Sequence, residues 1–331
     1  MKKNFLLLTL IMAGALYATE KPTLTVYTYD SFAASWGPAP KIKEAFEKEC
    51  NCTLNFVASS SAIGTLRKIQ MEGSRTKADV LLGLDTSIAL TAKATKLFEK
   101  HSTDTSKVVL PKDWNDDTFV PFDYSYFAFV YDMDKLKKVP TSFEELVSMP
   151  KGFKIVIQDP RSSTPGLGLL LWVKSVYGDK AAEYWKRLSP HILTITKGWS
   201  EAYGLFLKGE ADMVLSYTTS PAYHIIAEEK TNYLSADFKE GHYGQIEVAA
   251  MLKSSKNKEL AQKFLQFMLS DTFQDIIPTT NWTYPVVKTK KGLPNGFSTL
   301  KVPSKMILMD SQKVKENKKL YVDEWIQAVA K

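Results

Sequence analysis

The sequence predicts an α/β protein of two lobes, each a mixed, mostly parallel sheet flanked by helices, with a ligand cleft between the lobes. Its 331 residues are enough for two domains with separate cores. Short apolar strands alternate with helical segments, which is typical of βαβ units. Two long β-prone runs, 119–132 and 243–252, are suited to strands that leave the first lobe and return to it. Interfaces between domains are favoured places for small-molecule sites.

The first residues have the pattern of a targeting segment. Two lysines precede an apolar run at 5–12, and small residues follow at 13–18. We therefore expect a signal peptide at 1–18 that is cleaved after Ala18, with a cut after Ala15 as the alternative. The apolar run is too short to cross a bilayer, and no later segment is long and charge-free enough to do so. The mature chain is expected to be periplasmic, with no direct membrane span.

The predicted strands have the short apolar or alternating pattern of sheet strands. In chain order they are 24–29, 54–57, 78–84, 119–132, 154–158, 213–217 and 243–252. The predicted helices are 41–50, 63–72, 167–177, 197–208, a helix from 221 onward, 260–269 and 320–330. The segment 278–285 is rich in turn residues. These elements divide into an N-terminal lobe, 19–123 and 247–284, and a C-terminal lobe, 124–246 and 285–331.

Two helix boundaries around the strand 213–217 are predicted from single residues. Gly209 is suited to the left-handed turn that ends a helix. Ser220 is predicted as the N-cap of the next helix, with Pro221 at its first position. The strand therefore delivers hydroxyls and free backbone N–H groups to a loop, which is where open α/β sheets bind ligands.

Composition and charge describe an ordinary soluble protein, with 44% apolar and 24% charged residues. The formal net charge is +7, but basic and acidic residues are mixed along the chain, so no nucleic-acid-binding patch is predicted. Both cysteines lie together at Cys50 and Cys52. Export permits a local disulfide between them, whereas two thiols with no nearby histidine supply only half of a zinc shell.

Three loops share one design, in which a strand end is followed by hydroxyl side chains and a helix start. They are 59–62, 162–165 and 218–221. Hydroxyls beside the unpaired N–H groups of a helix N-terminus suit a phosphate, a carboxylate or a ligand hydroxyl. Ordinary N-capping explains any one of these loops equally well. The candidate site residues from these loops are Ser61, Ala62, Ser163, Thr218, Thr219 and Ser220.

Six aromatic residues lie at strand ends or in loops, in polar surroundings. They are Tyr29, Trp36, Trp199, Tyr217, Tyr223 and Trp282. Tyrosine and tryptophan faces stack on flat heterocycles and attract cations. Each ring taken singly could instead fill a loop, but together they predict a cage for a flat, cationic ring.

Five segments, 26–32, 158–168, 197–204, 216–223 and 281–285, resemble the periplasmic thiamine-binding proteins of ABC transporters. The resemblance covers residues from about 24 to 285. It implies a type II periplasmic binding fold that captures thiamine, or its mono- and diphosphate, and delivers it to an inner-membrane ABC permease. Thiamine would be a transported ligand and not a cofactor, and the protein is expected to be a monomer.

The resemblance also implies roles for the candidate residues. Tyr29 and Tyr223 would sandwich the pyrimidine ring of thiamine. The rings around the thiazolium would be Trp36, Trp199, Tyr217 and Trp282. The residues binding the hydroxyl or phosphate end would be Ser163, Tyr217, Thr218, Thr219 and Ser220. The family has an Asp-Gly pair where this chain has Ser61 and Ala62, so the preference among thiamine and its phosphates is expected to change.

A hydrolase or transferase is the alternative from another class. The chain has four histidines, and none lies in a Gly-x-Ser-x-Gly or His-Glu-x-x-His motif. Asp30 and Asp85 end strands and could act as bases, although capping a loop explains them better. We therefore predict a binding protein and not an enzyme.

Within the binding class, the rival ligands are ferric ion, a sugar or another cationic or phosphorylated metabolite. Paired tyrosines such as Tyr217 and Tyr223 would suit ferric ion with a bound anion. The tryptophans around them argue against this interpretation, and no metal site is predicted.

Overall fold

A computed structural model describes residues 21–329, which form eleven strands and twelve α-helices. The strands are β1 (Thr23–Tyr29), β2 (Thr53–Ser59), β3 (Val80–Asp85), β4 (Val120–Asp132), β5 (Ile155–Gln158), β6 (Ile192–Thr196), β7 (Met213–Tyr217), β8 (Tyr233–Ser235), β9 (His242–Met251), β10 (Tyr284–Pro285) and β11 (Met306–Ile307). The helices are α1 (Asp30–Ala33), α2 (Ala39–Cys50), α3 (Ala62–Glu72), α4 (Thr86–Ala94), α5 (Phe143–Val147), α6 (Thr164–Tyr177), α7 (Ala181–Leu188), α8 (Trp199–Leu207), α9 (Ser220–Ala227), α10 (Lys258–Phe267), α11 (Asp271–Ile276) and α12 (Ser311–Val329).

The sheet has two halves that share one strand. The hydrogen-bonded order is β2-β1-β3-β9-β4-β7-β5-β6. Strand β4 pairs antiparallel with β9 through its first half, Val120 to Tyr126, and with β7 through its second half, Phe127 to Tyr131. The pairs β1–β2 and β1–β3 on one side, and β5–β6 and β5–β7 on the other, are parallel. The prediction of two mostly parallel α/β lobes joined by crossing strands is confirmed.

Both crossing strands are buried along almost their whole length. All ten residues of β9 are buried, and so are eleven of the thirteen in β4. A strand that is buried on both faces reads as a nearly continuous apolar run, which explains why both were predictable. Carboxylates buried within such strands, as Asp123 and Glu247 are, are therefore unusual.

The apolar core is continuous across the two halves. One large cluster joins residues of the first half, such as Leu81 and Ile88, to Leu167 and Trp172 of helix α6 and to Trp325 of helix α12. A second cluster lies under α2 and α10 and contains Phe46 and Phe264, whose ring centroids are 5.1 Å apart.

Helix α2 shows how local chemistry fixes an element. Its buried residues Ala39, Ile42 and Phe46 follow the helical period and form one apolar face. The helix ends at Asn51, which adopts the left-handed conformation with φ of 50°. Cys50 and Cys52 on either side of that turn form the predicted disulfide, with Cα atoms 5.2 Å apart.

Several predictions of element bounds differ from the structure. Helix α12 begins at Ser311, nine residues before the predicted start, because its first turns bury only Val314 and lack a regular apolar stripe. The elements that were not predicted are helices α1, α4, α5, α7 and α11 and strands β6, β8, β10 and β11. Helix α4 is short and contains threonines, which are weak helix formers.

The structure does not test two of the predictions about the organisation of the chain. The predicted signal peptide lies at residues that the structure does not describe. Within residues 21–329, no helix is long and apolar enough to cross a membrane. The residue boundaries of the two lobes stay a prediction.

Candidate ligand-binding site

A cavity of about 390 Å³ lies where the carboxyl ends of β1 and β7 meet the starts of several helices. This is the edge at which α/β sheets bind ligands. Ten of the twelve predicted site residues line it: Tyr29, Trp36, Ser61, Ala62, Ser163, Trp199, Tyr217, Ser220, Tyr223 and Trp282. The structure thus brings together residues that are up to 253 positions apart in the chain.

Besides the single-turn helix α1, four longer helices begin at the cavity wall. Three of them, α3, α6 and α9, start at the hydroxyl-rich loops that the sequence singled out, and the fourth is α8, which starts at Trp199. The Oγ of Ser61 caps α3 by accepting the backbone N–H of Gly64 at 3.0 Å. Helix N-termini carry partial positive charge, so this part of the wall favours an anionic or hydroxyl group.

The ring of Tyr29 lies on the backbone of strand β3. Gly83, at φ of +105°, forms a bulge there, and a Cβ at this position would stand only 2.4 Å from the tyrosine ring. The phenol O–H of Tyr29 donates to Oε2 of Glu247 at 2.9 Å. Glycine at position 83 and the carboxylate of Glu247 therefore fix the plane of this ring.

Trp199 is held from two sides. Its indole N–H donates to Oγ of Ser216 at 2.8 Å, and its ring stacks on Tyr203 with centroids 4.9 Å apart. Ser216 in turn shares a hydrogen bond of 2.7 Å with Ser220. Because the hydroxyl of Ser220 is committed to this network, it does not cap helix α9, whose N-cap is Thr219. The prediction of Ser220 as N-cap is therefore wrong by one residue.

Tyr223 is positioned by a buried chain of hydrogen bonds. Its O–H donates to Oε1 of Glu228 at 3.1 Å, and Oε2 of Glu228 lies 2.8 Å from Nδ1 of His224. His224 reaches the O–H of Tyr203 at 2.8 Å through Nε2. The ring of Tyr223 meets Trp282 edge-on, with centroids 5.3 Å apart. His224 is buried and links two tyrosines of the cavity wall.

Three contacts join the two sides of the cleft near the cavity. The hydroxyl of Ser61 donates to the backbone carbonyl of Ser162. Oγ of Ser200 donates to Oδ1 of Asp30 at 3.4 Å, and a Cβ on Gly198 would stand 2.8 Å from the carbonyl of Ser60. The cleft is thus narrow here, although Trp36 at its rim keeps 55% of its surface exposed.

Two predicted residues do not line the cavity. Thr218 and Thr219 are buried behind it: the backbone N–H of Thr218 bonds the carbonyl of Tyr126, and Oγ1 of Thr219 bonds Oγ of Ser125 at 2.9 Å. The hydroxyl of Thr219 thus faces strand β4, and Thr218 contacts the same strand through its backbone N–H. The prediction that their hydroxyls face the ligand is not supported by this geometry.

The most informative residue that the sequence prediction missed is Glu247. It lies in β9, is 4% exposed and lines the cavity. Asn281, also in the wall, binds Oε2 of Glu247 at 3.3 Å and Oδ2 of Asp123 at 2.6 Å through its amide nitrogen. A glutamate inside a run with the pattern of a buried strand was the available clue, because charged residues are almost never fully buried unless they are paired.

Burial raises the pKa of these carboxyl groups. Loss of water and the nearby charge of Asp123 raise the pKa of Glu247 well above its usual value. Burial also raises the pKa of Asp123 to about 6, although hydrogen bonds from Asn281 and Thr283 oppose the shift. Perturbed pKa values of this kind cluster at functional sites.

The side chains of the wall suit a flat organic cation better than a metal ion. Of the described residues that line the cavity, Asp30 and Glu247 are the only ones with a formal charge, and both are acidic. Within residues 21–329, no group of three or more His, Cys, Asp or Glu is arranged to hold a metal ion. The arrangement offers aromatic faces and a carboxylate to a flat cation, and helix starts to an oxygen-bearing tail.

Comparison with known proteins agrees with this geometry. The family model for bacterial extracellular solute-binding proteins matches residues 33–275. The thiamine-binding periplasmic proteins of Salmonella typhimurium and Escherichia coli are 54% and 53% identical over 331 residues, covering 100% of both chains in each case. A solved structure titled periplasmic thiamin binding protein superposes with a TM-score of 0.92 at 55% identity, over 94% of this chain and 97% of that one.

More distant structures share the fold alone. Iron-bound HitA from Pseudomonas aeruginosa superposes with a TM-score of 0.75 at 20% identity, over 93% of this chain and 99% of that one. The match of the family model over most of the chain, together with full-length relatives above half identity, settles the classification. The chain belongs to the bacterial extracellular solute-binding protein family.

Proposed function

We propose that this protein captures thiamine in the cavity and delivers it to an ABC permease. One observation carries the proposal: seven aromatic rings and the starts of helices α3, α6, α8 and α9 surround a single cavity whose charged side chains are carboxylates. A flat cation with a hydroxyl or phosphate tail matches both parts of that wall. Relatives that bear the name thiamine-binding periplasmic protein, at more than half identity over the whole chain, support the same ligand.

The cavity suggests how thiamine would be held. Tyr29 and Tyr223 would sandwich the pyrimidine, and Trp36, Trp199, Tyr217 and Trp282 would surround the thiazolium. Helices α3, α6 and α9 would bind the hydroxyl or phosphate end through Ser61, Ala62, Ser163 and Ser220. Because no lysine or arginine is among the described wall residues, helix starts would be the main source of attraction for a phosphate.

We further propose that the protein binds thiamine monophosphate and diphosphate in the same cavity. The protein would act in the periplasm as a monomer after removal of residues 1–18. Its lobes, 19–123 with 247–284 and 124–246 with 285–331, would close on the ligand and dock on an inner-membrane permease.

Titration of the purified mature protein tests the ligand. Thiamine, its monophosphate, its diphosphate, ferric citrate and maltose are added separately, with calorimetry and intrinsic tryptophan fluorescence as readouts. We expect stoichiometric binding of thiamine with fluorescence quenching and a Kd below about 1 μM, or about −8 kcal/mol. Mass spectrometry of ligand that co-purifies with the protein is the independent check. A flat response to all three thiamine forms, or preferential binding of iron, would overturn the proposal.

A further inference from the structure

Glu247 is the central member of a row of three buried carboxyl groups. In the antiparallel pairing of the sheet it stands directly opposite Asp85 of β3 and directly opposite Asp123 of β4. Asp85 is 2% exposed and Asp123 is fully buried. Like charges at directly opposite positions destabilise a sheet, so an arrangement of this kind is retained only where something compensates for it.

The neighbours of Glu247 do not neutralise it. Its described hydrogen bonds come from the phenol of Tyr29 and the amide of Asn281, both uncharged donors. Oδ1 of Asp123 is buried and has no hydrogen-bond partner among residues 21–329. Glu247, the member of the row that lines the cavity, therefore has no positively charged hydrogen-bond partner among residues 21–329.

Titratable groups face Glu247 from four strands. They are Tyr29 of β1, Asp85 of β3, Asp123 of β4 and Tyr217 of β7. The carboxylates raise the pKa of Glu247, and Glu247 raises the pKa of both tyrosines, so the tyrosines stay neutral. Burial raises the pKa of Asp85 to about 6, and the nearby charge of Lys318 opposes this shift; Lys318 is not among the causes acting on Glu247. A proton is accordingly retained on the Glu247–Asp123 pair when the ligand is absent.

We propose that Glu247 is the specificity-determining residue that selects a cationic ligand, and that binding of the cation expels a proton from the Glu247–Asp123 pair. This inference rests on the proposed function. The carboxyl O–H bond breaks, the proton passes to solvent, and the carboxylate that remains is the counter-ion of the bound cation. No other bond changes.

Asp30 is the other carboxylate of the wall, and its position makes it a weaker counter-ion. It is exposed, and its carboxylate accepts the backbone N–H of Ser31, so water and salt screen its charge, although partial burial raises its pKa above the usual value. Glu247 is buried, and a charge in a low-dielectric site interacts several times more strongly than one at the surface. The two residues therefore form a matched pair for a test.

Calorimetry in buffers of different ionisation enthalpy measures proton release directly. For the wild-type protein and thiamine at about pH 7, we expect release of a fraction of one proton per ligand. Thiamine affinity should rise with pH above the ordinary glutamate value of about 4.3 and level off above the raised pKa of the free protein. The neutral thiophene analogue of thiamine should bind at least about tenfold more weakly, with no proton release.

Variants then assign the effect. Glu247→Gln should abolish the proton release, lower thiamine affinity at about pH 8 by about tenfold or more, and remove the preference over the neutral analogue. Asp30→Asn and Asp85→Asn are the controls, the first in the wall and exposed, the second buried in the row but outside the wall. Asp30→Asn should keep the proton release, whereas Asp85→Asn should reduce it without abolishing it, because Asp85 also raises the pKa of Glu247. Asp123→Asn should shift the rise in affinity to lower pH, because it removes the charge that opposes ionisation of Glu247.

The outcomes separate this inference from the proposed function. If thiamine binds tightly with no proton release, or if Glu247→Gln binds thiamine and the neutral analogue as wild type does, the inference is overturned and the thiamine proposal stands. If thiamine does not bind at all, the proposed function fails first. Should Glu247→Gln not fold, the wild-type proton release and the Asp123→Asn shift still decide the matter.

Discussion

The ring and the hydroxyl group of Tyr223 have different roles, which substitutions can separate. Its ring faces the cavity beside Trp282, while its O–H anchors it to Glu228. Tyr223→Ala should weaken thiamine binding roughly tenfold, because it removes a stacking and cation–π surface worth about 1–2 kcal/mol. Its thermal midpoint should change little, since the side chain is only partly buried.

Tyr223→Phe is the matched control, because it keeps the ring and loses only the hydrogen bond to Glu228. Calorimetric titration of both variants with thiamine should give near wild-type affinity for Tyr223→Phe. Equal losses in the two variants would mean that the hydroxyl, and not the ring, binds the ligand.

Glu247 links binding to stability through pH. Its pKa in the folded protein is raised, whereas in the unfolded chain it has the ordinary value of about 4.3. Between these two pKa values the folded state binds more protons than the unfolded chain. The free energy of unfolding therefore falls as pH rises from about 4.3 through the raised pKa of Glu247. Glu247→Gln should be more stable than wild type at about pH 8, by roughly 1 kcal/mol, which is a usual gain when a functional-site cost is removed.

The advantage of Glu247→Gln should disappear near pH 4, where the carboxyl is protonated in both states. Urea unfolding of ligand-free protein across this range provides the measurement. A variant less stable than wild type at every pH would show that the carboxylate is a structural hydrogen-bond acceptor and not a retained cost.

At the scale of elements, the start of helix α3 combines capping with ligand contact. Ser61 caps the helix and also lines the cavity. Ser61→Asp should keep the cap, because aspartate accepts the same bond. It should lower the affinity for thiamine diphosphate relative to thiamine by roughly tenfold, about 1.4 kcal/mol, through repulsion of the phosphates.

Ser61→Asn caps equally well without the charge and is the control for this change. Competition between radiolabelled thiamine and unlabelled diphosphate gives the ratio of affinities for each variant. An unchanged ratio in Ser61→Asp would place the phosphate away from helix α3.

Element prediction succeeded where one local rule determined the outcome. The burial of β4 and β9 made them readable as apolar runs, and the hydroxyl-rich loops marked the starts of α3, α6 and α9. The orientation of Thr218 and Thr219 depends instead on how β7 packs against β4, which one sequence does not reveal. Glu247 was missed because its importance depends on the nearby carboxyl groups of Asp85 and Asp123. These residues are distant in the chain and become its neighbours only through strand pairing.

Helix α12 joins the two halves of the molecule. Its buried face packs in the same core as α4 of the first half and α7 of the second, and its Trp325 meets Trp185 at a centroid distance of 6.4 Å. Trp325→Ala should cost about 3–5 kcal/mol, as for other buried aromatic residues. Leu320→Ala, on the exposed face, should change the unfolding free energy by less than about 0.5 kcal/mol in chemical denaturation.

At the scale of the whole molecule, the shared strands and the continuous core predict cooperative unfolding of the two lobes. Strand β4 contributes to both halves of the sheet, and neither half can unfold without breaking β4 pairs. Calorimetric melting should therefore show a single transition with equal calorimetric and van't Hoff enthalpies. Thiamine at a thousand times its Kd should stabilise the folded state by roughly 4 kcal/mol and raise the midpoint on the order of 10 °C. Because thiamine would contact wall residues from both sides of the cleft, it should raise the midpoint of this single transition without splitting it into two. Two transitions, of which only one responds to thiamine, would mean that the site belongs to one lobe and that the cleft contacts carry little of the binding energy.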